Sequence, residues 1–151
     1  MRIFLDANIL FSAAYSAGAV RRLLDMLLAM GHALIVDSYV CEEAQRNVSA
    51  KTPATRRAQA QSDLHDILQR IQLLPFVSVL QMANAAEAQK LAHWLPEKDR
   101  PVLLAAIANH CTALVTGDMK HFAAGLGQSY GGVRIYNPAL IATEVLALSA
   151  S

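Results

Sequence analysis

Residues 99–122 read DRPVLLAAIANHCTALVTGDMKHF, and this stretch decides the fold. Asp99 opens a helical pattern over about 98–110, in which Val102, Leu103, Ala106, Ile107 and His110 recur at the i, i+3, i+4 spacing of one helix face. The apolar run ALVT at 113–116 then predicts a short strand buried on both faces, and the TG that closes it delivers Asp118. A helix feeding a buried strand that ends on an acid is half of a parallel α/β unit. The same kind of run recurs at 2–5 (RIFL), 33–36 (ALIV), 76–79 (FVSV) and 133–136 (VRIY).

Helical patterns fill the intervals. Val20, Leu23, Leu24, Leu27 and Leu28 stripe a helix over 18–30 that ends before Gly31. Ser38 is placed to cap a second, running to about Val48; further helices are predicted at about 57–72 and 85–94, and Asn137-Pro138 opens a last one to about Leu148. Alternation of this kind predicts a three-layer α/β/α sandwich, with a mainly parallel sheet of about five strands forming one domain over residues 1–151. The stretch GLGQSYGG at 125–132 lies between elements and reads as a surface turn rather than a phosphate loop.

Composition narrows the function. Of 151 residues 54% are hydrophobic and 17% charged, with a mean hydropathy of +0.30, which describes a core-rich globular protein. Thirteen Lys and Arg against 12 Asp and Glu leave a net charge of +1, so charge alone would not hold a nucleic acid. A local basic surface is available: Arg46, Lys51, Arg56, Arg57 and Arg70 share one stretch, interrupted by Asp63 and Asp66, which also reads as a solvated helix face. Cys41 and Cys111 lack CxxC spacing and read as buried thiols. Asp6 and Asn8 interrupt what would be a signal-peptide apolar stretch, and no run reaches the ~18 residues of a membrane span, so a cytoplasmic protein is expected.

Asp6 and Asp118 follow the first and fourth strands directly, at the sheet edge where open α/β folds bind ligands. Either could instead be a cap or a Gly-Asp turn residue. Asp99 shares a face with apolar residues, which a merely solvating acid would avoid. Glu43 lies nearer the Val40, Ala44, Val48 stripe than Glu42 does, so one of the pair is a solvated residue. The histidines at 32, 65, 93, 110 and 121 show no HxxxH or HExxH spacing, which argues against zinc; His110 reads as a helix-end core residue. Lys120 and His121 are close enough to Asp118 to approach a substrate phosphate, or are exposed turn residues.

Taken in order, IFLDANIL, SYVCEEAQRNV, DRPVLLAAIANH and ALVTGDMKHF resemble the motifs of the PIN-domain family, which includes the VapC toxins of toxin–antitoxin pairs. The resemblance covers nearly the whole chain and is most specific in the last two motifs. It implies catalytic acids Asp6, Glu43, Asp99 and Asp118, with Asp6, Asp99 and Asp118 as ligands of Mg²⁺ or Mn²⁺, and Asn8 and Thr116 as supporting polar groups. It implies a metal-dependent endoribonuclease acting on RNA, restrained by an antitoxin and often homodimeric. Arg46, Lys51, Arg56, Arg57, Lys120 and His121 are candidate RNA contacts.

Elementary electrostatics explains why such a cluster wants a cation. Two carboxylates ~4 Å apart repel by roughly 4 kcal/mol at an effective dielectric near 20. Without metal, their pKa values are expected to rise above the ordinary range. A haloacid-dehalogenase-type phosphatase expects DxD after its first strand, whereas this chain has Asp6-Ala7-Asn8. A receiver domain needs a paired acid after the first strand and a phosphoacceptor Asp after the third, and this chain has neither, since FVSV is followed by LQMAN. A PIN-like module that binds RNA or protein without cutting remains as the alternative.

Overall fold

The computed structural model describes residues 1–78, 81, 82 and 84–147. Six strands form one sheet in the order β3-β2-β1-β4-β6-β5: β1 (Arg2–Leu5), β2 (Ala33–Asp37), β3 (Gln72–Leu74), β4 (Ala113–Val115), β5 (Ser129–Tyr130) and β6 (Val133–Tyr136). All neighbours pair in parallel except β5 with β6. In the centre Phe4 is in register with Ile35 on one side and Leu114 on the other, all fully buried. Such strands have no solvent face, hence their unbroken apolar sequences.

Helices α1 (Ala7–Tyr15) and α2 (Ala19–Ala29) join β1 to β2, and α3 (Ser38–Lys51) and α4 (Ala54–Gln69) join β2 to β3. The return to β4 uses α5 (Ala85–Ala92) and α6 (Arg100–Ala108). Right-handed crossovers that first step outward and then step back must lie on opposite faces, which produces the three layers. Accordingly α1 packs on α3 and α4, and α5 packs on α6. After β6, α7 (Pro138–Ile141) runs into a π-type turn, Ala142–Leu146. From β1 the chain leaves toward β2, and from β4 it leaves toward β6. The sheet therefore has its switch point between the carboxyl ends of β1 and β4, where Asp6 and Asp118 stand.

Several expectations need correction. The third strand is Gln72–Leu74, not 76–79: Phe76, Val77 and Ser78 follow it as irregular chain, and Val79 lies outside the described residues. Pro75 offers no N–H to a ladder, which is a physical reason for the strand to stop at Leu74. The preceding helix spans Ala54–Gln69 rather than 57–72. Helix α1 went unread because Ala7, Ile9, Leu10, Ala13 and Ala14 are all buried, leaving little polar contrast. The Gly-rich stretch is not only a turn, since Gly131 and Gly132, both at positive φ, fold β5 back on β6 as a sixth strand.

Asp37, not Ser38, caps α3 through its side chain at Val40 N. His110 is exposed, not core: it takes φ +56° just past α6, where Cys111 N reaches back to Ala106 O. The end of the last predicted helix, Leu148, lies outside the described residues. Cys41 and Cys111 are buried free thiols, and no described helix is long and apolar enough to cross a membrane.

Candidate active site

Asp6 continues β1 and caps α1 at once. Its N–H donates to Val115 O at 3.0 Å, while its Oδ1 accepts from Ala7 N at 2.7 Å. Its Oδ2 accepts from the Thr116 hydroxyl at 2.8 Å and from Asn8 Nδ2 at 3.2 Å. Thr116, itself fully buried, also accepts from Asn8 Nδ2 and from Asp118 N. Asn8 Oδ1 in turn takes the N–H of Gly117 at 2.7 Å. These bonds tie the ends of β1 and β4 together and fix the Asp6 carboxylate. Burial pushes its pKa up to about 6; the bonds from Thr116 and Ala7 oppose this, and the charges of Glu43 and Asp99 add to it.

Asp118 is held differently. Its Oδ1 accepts from the backbone N–H groups of Lys120 and His121, each at 3.1 Å, closing a turn that brings the His121 ring back to Oδ2 at 2.8 Å. The same Nδ1 lies 3.1 Å from Asp99 Oδ2. Distance alone makes this an ion-pair contact, yet Asp99 Oδ2 is a buried oxygen with no hydrogen bond. Both observations hold together, because one ring nitrogen carries one proton and it is directed at the nearer Asp118. Asp99 sits at the start of α6 but makes no side-chain cap bond. Its carboxyl is raised, by burial first and then by Asp118, against the pull of His121. For Asp118 burial is again the largest influence, but the His121 and Lys120 hydrogen bonds together outweigh it and hold the pKa below the ordinary value. The expectation of uniformly raised acids therefore fails at Asp118, where a turn supplies donors.

Glu43 projects from α3 and its charge is felt at Asp6 and at Tyr39. Glu42 is exposed, and its charge registers instead at Cys41. Four acids from four separate segments thus converge on the switch point. Within them Asp99, Asp118 and His121 offer ligand atoms all within 4.8 Å of one another; Asp6 stands outside this group and couples to it through charge.

The basic residues disperse. Arg56 donates to Tyr15 O and lies over the Tyr15 ring, Arg57 donates to Thr52 O, and Arg70 pairs with Asp25. Arg46 lies on the site side of α3, where its charge acts on Tyr39; Lys51 and Lys120 are exposed. Two participants, Tyr39 and Asp37, escaped the sequence reading, and a third, His121, was expected near a phosphate rather than between two acids. The bridging role of His121 depends on a turn that only folding reveals. Tyr39 was signalled by its i, i+4, i+7 spacing with Glu43 and Arg46. Asp37, buried with one oxygen unbonded among the described residues, ends β2 directly after the apolar run 33–36, where Ser38 was read as the cap instead.

A parallel three-layer sandwich with a carboxylate cluster at its switch point defines an α/β protein built to gather acids at one edge. The PIN domain family model matches residues 2–120, and the chain belongs to that family. In fold it is similar to a chain of VapBC2 from Rickettsia felis, solved bound to a DNA fragment from the promoter (TM-score 0.66, 23% identity, covering 91% of this chain and 98% of that one). It is also similar to a chain of FitAcB from Neisseria gonorrhoeae (TM-score 0.63, 19% identity, 91% and 98% covered). A chain of FitAB bound to an IR36 DNA fragment gives a TM-score of 0.62 at 18% identity, with 90% and 94% covered. No curated protein sequence matches the chain.

Proposed function

We propose that this PIN-domain chain is an endoribonuclease that needs Mg²⁺ or Mn²⁺, with Asp6, Glu43, Asp99 and Asp118 as its catalytic acids and Asp6, Asp99 and Asp118 as metal ligands. The observation that carries the reading is Asp99 Oδ2, a buried oxygen without a hydrogen bond among the described residues, beside a second carboxylate that shares its imidazole neighbour. One imidazole nitrogen within 3.1 Å of both carboxylates marks the place where a cation would be shared between them. An all-oxygen carboxylate set suits a hard divalent ion better than zinc. Such an ion would acidify a bound water, orient a phosphate and stabilise the leaving oxygen of an in-line displacement. The protein's own part is to hold Asp6 rigid through Thr116 and Asn8 and to present Lys120 and His121 near the phosphate.

The reading extends to regulation. Chains of similar fold come from VapBC2 and FitAB complexes, which supports a toxin held by an antitoxin; a cytoplasmic location and a homodimeric assembly complete the proposal. The test is cleavage of RNA by the purified chain with Mn²⁺ and with EDTA, for wild type and Asp99→Asn. Cleavage to 5′-phosphate ends should require Mn²⁺ and fall at least a hundredfold in the variant. Full activity in EDTA, or in Asp99→Asn, would overturn the assignment. Co-purification of a small protein encoded by the adjacent reading frame tests the antitoxin.

A further inference from the structure

The acids explain charge at the site but not what grips the strand being cut, and the surface beside them is aromatic. Tyr39, Glu43 and Arg46 fall at i, i+4 and i+7 on α3, which lines them along one helix face. The Tyr39 ring lies 5.6 Å from that of Phe76, tilted by 32°. Phe76 follows β3 closely, and its N–H donates to Ser38 Oγ at 3.1 Å, so the first turn of α3 fixes the segment that carries it. Even so, Phe76 remains 43% exposed.

A lone exposed apolar side chain is ordinary. What separates Phe76 is its fixed mount, its ring partner and the cavity it borders. It walls a groove of about 450 Å³ with Gln89, His93, Glu97, Pro101 and Leu104. Glu97, Arg100 and Pro101, which flank Asp99 in sequence, line the groove although Asp99 itself does not, and the Arg100 guanidinium there donates to Leu95 O and His93 O. On the other flank the Tyr39 hydroxyl is held above its ordinary pKa, by burial and then by Glu43, with Asp99 also contributing. Phe76 thus joins the groove to the ring pair, and Tyr39 joins the ring pair to the charges of Glu43 and Asp99.

Resting on the ribonuclease reading above, we infer that Phe76, backed by Tyr39, is a stacking platform for an unpaired nucleobase next to the scissile phosphate. A chain with a net charge of +1 and an acid cluster cannot rely on backbone attraction there. A neutral ring supplies affinity without charge, because every base has a π-face, whereas in a duplex those faces are already covered. Arg46, on the same helix face as Tyr39, is placed to meet a flanking phosphate. The groove beyond Phe76 offers Gln89 and His93 as polar partners for the edge of the stacked base.

The test uses the full chain and a short single-stranded RNA carrying one 2-aminopurine, whose fluorescence falls on stacking. Binding is read in EDTA and steady-state cleavage in Mn²⁺, for wild type, Phe76→Ala and Phe76→Tyr. Quenching should appear with wild type and Phe76→Tyr and be lost with Phe76→Ala; KM should rise roughly tenfold in the alanine variant while kcat holds. A duplex of the same sequence should be cut at least tenfold more slowly. Since Phe76 is largely on the surface, melting temperature should confirm that the alanine variant is folded. Unchanged quenching and KM in Phe76→Ala, with Mn²⁺-dependent cleavage intact, would overturn the platform and leave the ribonuclease standing. If Phe76→Ala instead releases a bound protein partner with RNA kinetics unchanged, the groove is a protein-docking site and the inference fails. A wild type that neither binds nor cuts RNA removes both readings together.

Discussion

Asp99 and Asp118 lean on one imidazole yet shift in opposite directions, and the difference lies in backbone donors. Two N–H groups and the His121 ring point at Asp118, while Asp99 Oδ2 receives no hydrogen bond. The sign of each contribution follows. With its pKa lowered, Asp118 stabilises the fold above the unfolded pKa, and this is lost as pH falls through the folded value. With its pKa raised, Asp99 contributes most below the unfolded pKa, and that contribution is lost as pH rises. In EDTA at pH 7.5, Asp118→Asn should therefore lower stability by about 1 kcal/mol, while Asp99→Asn should melt at or above wild type. Urea denaturation at pH 7.5 and pH 4 reads both, and the Asp118→Asn deficit should shrink at the lower pH. An Asp118→Asn protein as stable as wild type at pH 7.5 would mean that the turn does not depend on the charge. Asp6, Asp99 and Asp118 could be singled out because each stands at a boundary that periodicity marks, whereas Glu43, inside α3, rested on the edge of an apolar stripe and on the family resemblance. The bridging His121 was not, because three residues of turn geometry decide where its ring points.

At the scale of elements, sequence reading succeeded where burial on both faces leaves an apolar run, as in β1, β2 and β4, and also at β6, where only Arg134 interrupts it. It slipped at β3, whose residues Gln72 and Leu73 are exposed at the sheet edge and carry no such signature, while the more apolar FVSV beyond Pro75 attracted the assignment. The short 3-10 turn Ala123–Gly125 was also invisible, although it anchors the only tryptophan. Trp94 stacks on Tyr130 with ring centroids 4.7 Å apart and meets Phe122 edge-on at 5.9 Å. A Cβ at Gly125 would fall 2.8 and 2.9 Å from Trp94 Cζ2 and Cζ3. Held from two sides and by its indole N–H bond to Leu91 O, the ring has little room to retreat. Gly125→Ala should thus destabilise the protein by about 1–3 kcal/mol. A lower urea midpoint together with red-shifted tryptophan emission is the expected result; unchanged emission and midpoint would show that the Trp94 stack yields freely.

For the molecule as a whole, the switch point is where the sheet's best-buried strands end, so the site's charge acts directly on the stability of the core. Asp6 carries most of this conflict, being buried with its pKa pushed up to about 6, chiefly by that burial. A raised carboxyl contributes stability that is fully present below the unfolded value of about 3.8 and lost as pH climbs through about 6. A shift of this size corresponds to roughly 3 kcal/mol, against a typical total of about 5–15. In EDTA the wild-type melting temperature should therefore fall between pH 4 and pH 7 more steeply than that of Asp6→Asn, which keeps an acceptor for Ala7 N but has no charge to bury. The two curves should converge toward pH 4. Mn²⁺ at about ten times its dissociation constant should return about 1.4 kcal/mol to the wild type at pH 7.5, a rise of a few degrees, and should leave Asp6→Asn nearly unmoved. Parallel curves for the two proteins in EDTA would mean that Asp6 is neutralised by its Thr116 and Asn8 network rather than by a cation. An equal response of both proteins to Mn²⁺ would move the metal to Asp99, Asp118 and His121 alone.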